Sequence, residues 1–124
     1  MADSTELHED GAKLSATVVD LHRALVSLQE ELEAVDWYNQ RVQAAEDDEL
    51  REILAHNRDE EKEHAAMLIE WLRRKDASFD QHLKTYLDTE GSIVAVESSQ
   101  SKGTPEGGRA GSLDLAGLRL EVSR

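Results

Sequence analysis

Residues 57–64 read Asn57-Arg58-Asp59-Glu60-Glu61-Lys62-Glu63-His64 and interrupt an apolar row with ionisable groups. The apolar residues on either side follow alternating steps of four and three, at Leu50, Leu54, Leu68 and Trp71. The same steps lead to positions 57, 61 and 64, so the row predicts a helix whose packing face holds Glu61 and His64. A carboxylate and an imidazole on a packing face must be paired, hydrogen-bonded or bound to a metal.

Glu61 and His64 are three residues apart, so they are neighbours on one face of the predicted helix. A Glu-x-x-His pair of this kind binds metal in helical bundles. The spacing is common by chance in so acidic a chain, and a solvated face with one stray histidine is the alternative interpretation. Their place on the packing face favours metal binding. We assign no chemistry to the histidines that lack a glutamate three residues earlier, which are His8, His22, His56 and His82.

A first helix is predicted from residue 13 to residue 45, with Gly11 breaking the chain before it. Its apolar residues form a heptad-like stripe for a partner helix. The members of that stripe are Leu14, Val18, Leu21, Leu25, Leu28, Leu32 and Val35.

A second helix is predicted to begin with an aspartate N-cap, Asp47 or Asp48, and to run to about residue 75. A third is predicted at about 79–89, with Gly91 as its stop. The short link between the first two helices predicts an antiparallel hairpin. One proline, few aromatic residues and no strand-like alternation in the first 90 residues indicate an all-α fold.

The chain has no cysteine, which excludes disulfides, zinc fingers and thiol catalysis and fits a reducing compartment. Residues 98–124 carry four basic and three acidic residues, a net charge of +1. Since the whole chain has a net charge of −13, residues 1–97 carry −14. Residues 1–97 are acidic enough to repel phosphates, so we expect neither nucleic acid nor an anionic membrane as a partner. Metal cations, by contrast, are attracted. No apolar run approaches the roughly 18 residues of a membrane span, and residues 1–13 lack the apolar core of a secretory signal.

The first helix places its glutamates on two different sides. Glu31 lies three residues after Leu28 and four before Val35, so it borders the packing face. A second group, which we name the outer cluster, occupies i, i+3 and i+7 of another side and consists of Glu30, Glu33 and Trp37. An exposed tryptophan beside two carboxylates predicts either a metal-related site or an anchor in a subunit contact.

A di-iron site in a four-helix bundle takes a glutamate from each of two helices and a Glu-x-x-His pair from each of the other two. One chain offers half of that set, in Glu31, Glu61 and His64. Two copies about a two-fold axis would complete it, with the iron pair on or across the axis. The same pairing would cover the apolar stripes of the hairpin, so we predict a homodimer that forms a four-helix bundle.

Residues 98–111, SSQSKGTPEGGRAG, are rich in glycine and serine and predict a flexible linker. In residues 112–124, the leucines recur at period two on either side of Ala116-Gly117. A segment this short cannot bury its own leucines, so it predicts an extended peptide that docks in an apolar groove of another protein. A frayed end with scattered leucines is the alternative interpretation.

Two motifs of the chain resemble the helix signatures of the encapsulated ferritins. The first is EELEAVDWY at residues 30–38, and the second is ILAHNRDEEKEHAAM at residues 53–67 with WLRR at 71–74. The resemblance covers about residues 20–97. It implies a ferritin-like helical domain at 13–97, preceded by a disordered segment at 1–12, and an encapsulin cargo-loading peptide at 112–124.

The resemblance further implies a ferroxidase that oxidises Fe(II) at a di-iron centre shared by two subunits. Its ligands would be Glu31, Glu61 and His64, with Tyr38 beside the centre as a hydrogen-bond donor or a packing residue. The outer cluster would be a second metal site on the route of iron inward, where Ca is a further candidate ion. Dimers would assemble into a ring, and the assembly would be cytoplasmic, inside an encapsulin nanocompartment that stores the iron.

Ligand chemistry leads to a compatible mechanism. Carboxylate oxygens and an imidazole nitrogen around open positions suit non-haem iron, and manganese and zinc accept the same ligands. We expect Glu31 to bridge, because it approaches from the helix opposite Glu61 and His64, which would be terminal ligands. Two other functions remain open: a non-catalytic iron buffer with the same ligands, and a structural helical adaptor whose polar positions set partner register.

Overall fold

The computed structural model describes residues 5–103, with side chains to residue 100, and this part of the chain is helical without a strand. Its four α-helices are α1 (Ala16–Ala44), α2 (Asp48–Lys75), α3 (Ala77–Tyr86) and α4 (Ile93–Gly103). The all-α prediction is therefore confirmed. None of the described helices is both long enough and apolar enough to span a membrane.

The first long helix begins at a serine cap. Ser15 Oγ accepts a backbone N–H from the first turn of α1 at 3.1 Å, so α1 starts three residues later than residue 13. Just before it, Gly11–Lys13 form a short 3-10 helix that Asp10 caps through its carboxylate. Gly11 thus takes part in regular structure instead of breaking the chain, and this turn overlaps the end of the segment 1–12 that we predicted to be disordered.

Arg51 joins the two long helices at their corner. Its guanidinium donates to Val42 O at 3.3 Å and to Ala45 O, and carbonyls at a helix C-terminus have no partner inside their own helix. On the other side of the corner, the Asp47 carboxylate accepts a backbone N–H from the first turn of α2 at 2.8 Å. This confirms Asp47 as the N-cap. The chain reverses over residues 45–47, so α1 and α2 form the antiparallel hairpin that we predicted.

The apolar stripe of α1 does not form one continuous buried seam. Two of its members, Leu28 and Val35, are half-buried. Three other members remain 46, 43 and 52% exposed, lie seven residues apart, and are Val18, Leu25 and Leu32. We name these three the exposed stripe. A single hairpin therefore covers only part of the apolar surface of α1.

The chain divides between Glu70 and Trp71 into two compact units, and α3 and α4 belong to the second. Asp76 caps α3 by accepting a backbone N–H from its first turn at 3.0 Å, which starts the helix at Ala77, two residues before the predicted 79. The helix ends at Tyr86, three residues before the predicted end. Asp88 takes the left-handed conformation, at φ 60°, directly after the C-cap. Gly91 also has positive φ, 82°, but it lies beyond the helix end and is not its stop.

A buried carboxylate ties α3 to the last turns of α2. Asp80 is 6% exposed, and its Oδ1 accepts a hydrogen bond from Arg73 Nη1 at 2.5 Å. The ammonium of Lys84 lies 3.2 Å from the other oxygen. Burial raises the pKa of Asp80, but the two cations outweigh it and hold that pKa below the ordinary 3.8.

The sequence pattern did not predict α4. Ser92 starts this helix by accepting the Ala95 N–H at 3.1 Å, and the helix then continues to Gly103 through residues that we assigned to the linker. The linker prediction is therefore wrong for residues 98–103, because a serine cap and two apolar turns can begin a helix that serine and glutamine then extend. The rest of the linker and the predicted loading peptide at 112–124 lie outside the described residues.

Candidate metal centre

The antiparallel hairpin brings one side chain of α1 next to two of α2. Glu31 lies in the middle of α1, and Glu61 and His64 lie one turn apart on α2. Helical periodicity accounts for the pair on α2, Glu61 and His64, because residues i and i+3 share a face. The third member joins them only because the short corner sets Glu31 at the same height as that pair.

The three side chains converge at ligand distances. His64 Nδ1 lies 3.2 Å from Glu61 Oε1 and 3.5 Å from Glu31 Oε1. One ligand atom from each residue lies within 4.8 Å of the other two. The side chains of Glu31, Glu61 and His64 are 26, 24 and 42% exposed, so the group is half-buried and solvent still reaches it. Within the described residues, no other group of three or more His, Asp or Glu side chains meets this distance.

The three side chains shift one another's pKa values because they lie close together. A hydrogen bond with Glu61, together with burial, raises the pKa of Glu31 above 4.5. The same hydrogen bond lowers the pKa of Glu61. Of the two carboxyl groups, Glu31 therefore loses its proton less readily than Glu61. The Glu61 carboxylate in turn raises the pKa of His64 above 6.5.

This donor set fits a divalent metal such as iron. Two carboxylates and one imidazole are the ligand types of non-haem iron sites, and a metal binds each of them in its deprotonated form. Three ligands fill only half of the roughly six positions of an octahedral ion, which leaves room for substrate oxygen or for ligands from another chain.

The outer cluster lies on the exposed side of α1. Glu30 and Glu33 are exposed, and Trp37 keeps 49% of its surface. The structure therefore places all three where solvent reaches them, as the sequence pattern indicated. Their role at a metal stays a prediction.

Tyr38 is half-buried, and its ring receives the guanidinium of Arg41 at 5.3 Å from the ring centroid. This is a cation–π contact within α1. A role for Tyr38 beside the ligands stays a prediction. Of the remaining histidines, His56 has a partner, with its Nε2 lying 3.9 Å from Glu60 Oε2 on the exposed face of α2.

Two arginines that join α1 and α2 were not predicted from the sequence. Besides Arg51 at the corner, Arg58 donates from Nη1 to Asn39 Oδ1 at 3.1 Å. Arg51 and Arg58 are seven residues apart, so they lie on one side of α2. That spacing is the signal that could have identified them, although it names no acceptor on α1.

Three comparisons with known proteins agree with this architecture. The EncFtn-like family model matches residues 6–90. An encapsulated ferritin-like protein of Rhodospirillum rubrum is 53% identical over 129 residues, which is 97% of this chain and 92% of that protein. An encapsulin nanocompartment cargo protein of Myxococcus xanthus, EncC, is 33% identical over 69 residues, 55% of this chain and 53% of that protein.

The fold is also similar to a solved structure. The crystal structure of a Nitrosomonas europaea protein superposes with a TM-score of 0.69 and 62% sequence identity, covering 70% of this chain and 96% of that one. The matched residues 6–90 span both long helices and α3, and they include Glu31, Glu61 and His64. The chain therefore belongs to the EncFtn-like family.

Proposed function

We propose that this protein is a ferroxidase, with Fe(II) as its substrate and Glu31, Glu61 and His64 as the residues that bind it. The observation that carries the proposal is the convergence of these three side chains, from two helices, to within 4.8 Å. A plain solvated acidic face does not bring two carboxylates and an imidazole from two helices together with all three half-buried. The acidic body of the chain would raise the local concentration of Fe(II).

The complete centre is proposed to need two copies of the chain. One copy offers one Glu-x-x-His pair and one opposing glutamate, which is half of a di-iron set. The exposed stripe and other apolar side chains of the hairpin, Leu50, Ile53 and Met67, supply surface for a second hairpin. A two-fold axis through this surface would build a four-helix bundle, and such dimers would assemble further into a ring.

Each residue then has a separate task. Glu31 approaches from α1 and would be the bridging ligand, while Glu61 and His64 would be terminal ligands. Fe(II) held there supplies the electrons that dioxygen takes up, and the oxidised iron leaves for storage. The outer cluster, with two exposed carboxylates, is proposed to pass iron inward and could also hold Ca, and Tyr38 to support the ligands by a hydrogen bond.

We also propose that the protein is cargo of an encapsulin nanocompartment in the cytoplasm, since relatives are named as an encapsulated protein and as an encapsulin cargo. Residues 112–124 would dock on the shell. Deletion of residues 113–124 should abolish packaging with co-expressed shell protein, while the purified protein oxidises Fe(II) at the parent rate. Loss of oxidation as well would show that these residues belong to the folded body.

Oxygen uptake after Fe(II) addition tests the ferroxidase directly. The double variant Glu61→Gln with His64→Gln should lose Fe(II)-dependent oxygen uptake, because it removes two of the three ligands and keeps polar side chains at both positions. The matched control exchanges the same residue types on the exposed face of the same helix, His56→Gln with Glu60→Gln, and should oxidise Fe(II) at the parent rate. Equal rates for the first variant and the parent would refute the site.

The same assay separates the iron buffer from the ferroxidase. A buffer would bind Fe(II) with the same residues and consume no oxygen. A structural adaptor would neither bind Fe(II) nor respond to the double substitution.

A further inference from the structure

Arg58 forms a polar contact between the two long helices, close to the candidate metal centre. Its side chain is 23% exposed, and its Nη1 donates to Asn39 Oδ1 on α1 at 3.1 Å. The same guanidinium donates from Nε to Asp59 at 3.0 Å. Lys62 lies 3.6 Å from that carboxylate on its other side. Arg58 is thus held at two atoms, which fixes the direction of its planar head.

The position of this contact along the hairpin matters. Asn39 is eight residues after Glu31 on α1, and Arg58 is three residues before Glu61 on α2. The contact therefore lies between the corner, where Arg51 joins the helices, and the metal ligands. If one helix slid by a single residue, Glu31 would move about 1.5 Å relative to Glu61 and His64. A shift of that size is large compared with the roughly 0.5 Å tolerance of a metal site.

We propose that Arg58 and Asn39 are positioning residues, which hold α1 and α2 in the register that brings Glu31 to Glu61 and His64. The inference rests on the proposed metal centre and adds to it a pair that touches neither metal nor substrate. Lysine cannot replace Arg58 here, because an ammonium lacks the fork that donates to Asp59 and Asn39 at once.

The test compares metal affinity, oxidation rate and stability in matched variants. Arg58→Lys, Asn39→Ala and the double variant are titrated with Co(II) under nitrogen, followed by its visible absorption, and their Fe(II) oxidation rates and urea unfolding are measured. We expect Co(II) binding about 10-fold weaker and oxidation about 10-fold slower in each single variant. The double variant should lose no more than one single variant, because both changes remove the same contact. Arg23→Lys is the control, since it alters an exposed ion pair within α1 alone.

A rescue separates positioning from general stability. Adding N39D to R58K pairs a carboxylate with the ammonium and should restore Co(II) binding to within about twofold of the parent. The proposal is overturned if R58K binds Co(II) like the parent, if the two losses multiply, or if the rescue fails while urea unfolding recovers. A parent that binds Co(II) yet consumes no oxygen with Fe(II) would refute the ferroxidase and still leave Co(II) affinity to decide the role of Arg58. A parent that does not bind Co(II) would refute the centre and, with it, this inference.

Discussion

Among the three residues of the candidate metal centre, His64 has the ordinary pKa nearest to physiological pH. Its pKa is raised above 6.5 by the Glu61 carboxylate, so the metal-free fold favours the imidazolium. Protonated His64 contributes stability to the metal-free fold below pH 6.5, and that contribution is lost as the pH rises through the raised pKa. A metal needs the neutral imidazole, so its affinity changes in the opposite sense.

We therefore expect Co(II) affinity to increase from pH 6 to pH 8, as His64 loses its proton. Anaerobic Co(II) titrations at several pH values would measure the increase. His64→Asn should bind more weakly and lose most of this pH dependence. An affinity that stays flat across the range in the parent would show that His64 is not a ligand.

The sequence identified the metal-ligand candidates more readily than the residues around them. The spacing of apolar residues in the second helix predicts that Glu61 and His64 lie on its packing face. The spacing in the first helix predicts that Glu31 borders its packing face. The contact between Arg58 and Asn39 joins residues 19 apart in sequence, and its existence depends on the register of the hairpin. Periodicity predicts the face of each residue, but the height at which two helices meet depends on the corner.

Among the elements, α3 depends most on one buried charge. The Arg73 side chain is 20% exposed, and replacement of Asp80 removes the carboxylate that lies 2.5 Å from its Nη1. We expect Asp80→Asn to lower the free energy of unfolding by about 2 kcal/mol, less than for a fully buried pair because water reaches Arg73. Urea unfolding at pH 7 would measure this. Asp20→Asn, which breaks an exposed ion pair with Arg23, should have a much smaller effect.

Acid unfolding gives an independent check on the same residue. The pKa of Asp80 is held below 3.8, so its contribution to stability is present above that value and is lost as the pH falls through the lowered pKa. The Asp80→Asn variant should lack this part of the acid transition. Equal stability of variant and parent at pH 7 would mean that the ion pairs of Asp80 contribute nothing net.

Helix ends were harder to predict than helices. The caps Ser15, Asp47 and Asp76 decide where α1, α2 and α3 begin, and only Asp47 was identified from the sequence. A cap is one side chain bound to one backbone N–H, so it leaves no periodic signal. The same holds for Asp88, where a residue other than glycine takes the left-handed conformation that ends α3.

At the scale of the whole molecule, the exposed stripe predicts that the protein works as more than one chain. Leu32→Lys places a charge in the middle of that stripe. We expect the variant to stay monomeric when Fe(II) is added and to lose oxygen uptake, with its helix content unchanged. Native mass spectrometry and circular dichroism would show this. Val94→Lys, at an exposed apolar residue of α4, is the matched control. Full activity from a monomeric Leu32→Lys variant would contradict a shared centre.

The three-residue reversal at 45–47 also has a consequence for synthesis. Helices that meet across so short a connection form contacts early, because little chain entropy is lost in closing the loop. Residues 112–124 leave the ribosome after both long helices. We therefore expect the hairpin to bring Glu31, Glu61 and His64 together before residues 112–124 can dock on a shell. Since folding of the hairpin alone brings the ligands together, recruitment would not depend on metal loading. Shells produced under iron starvation should accordingly hold as many copies of this protein as shells produced in iron-rich medium.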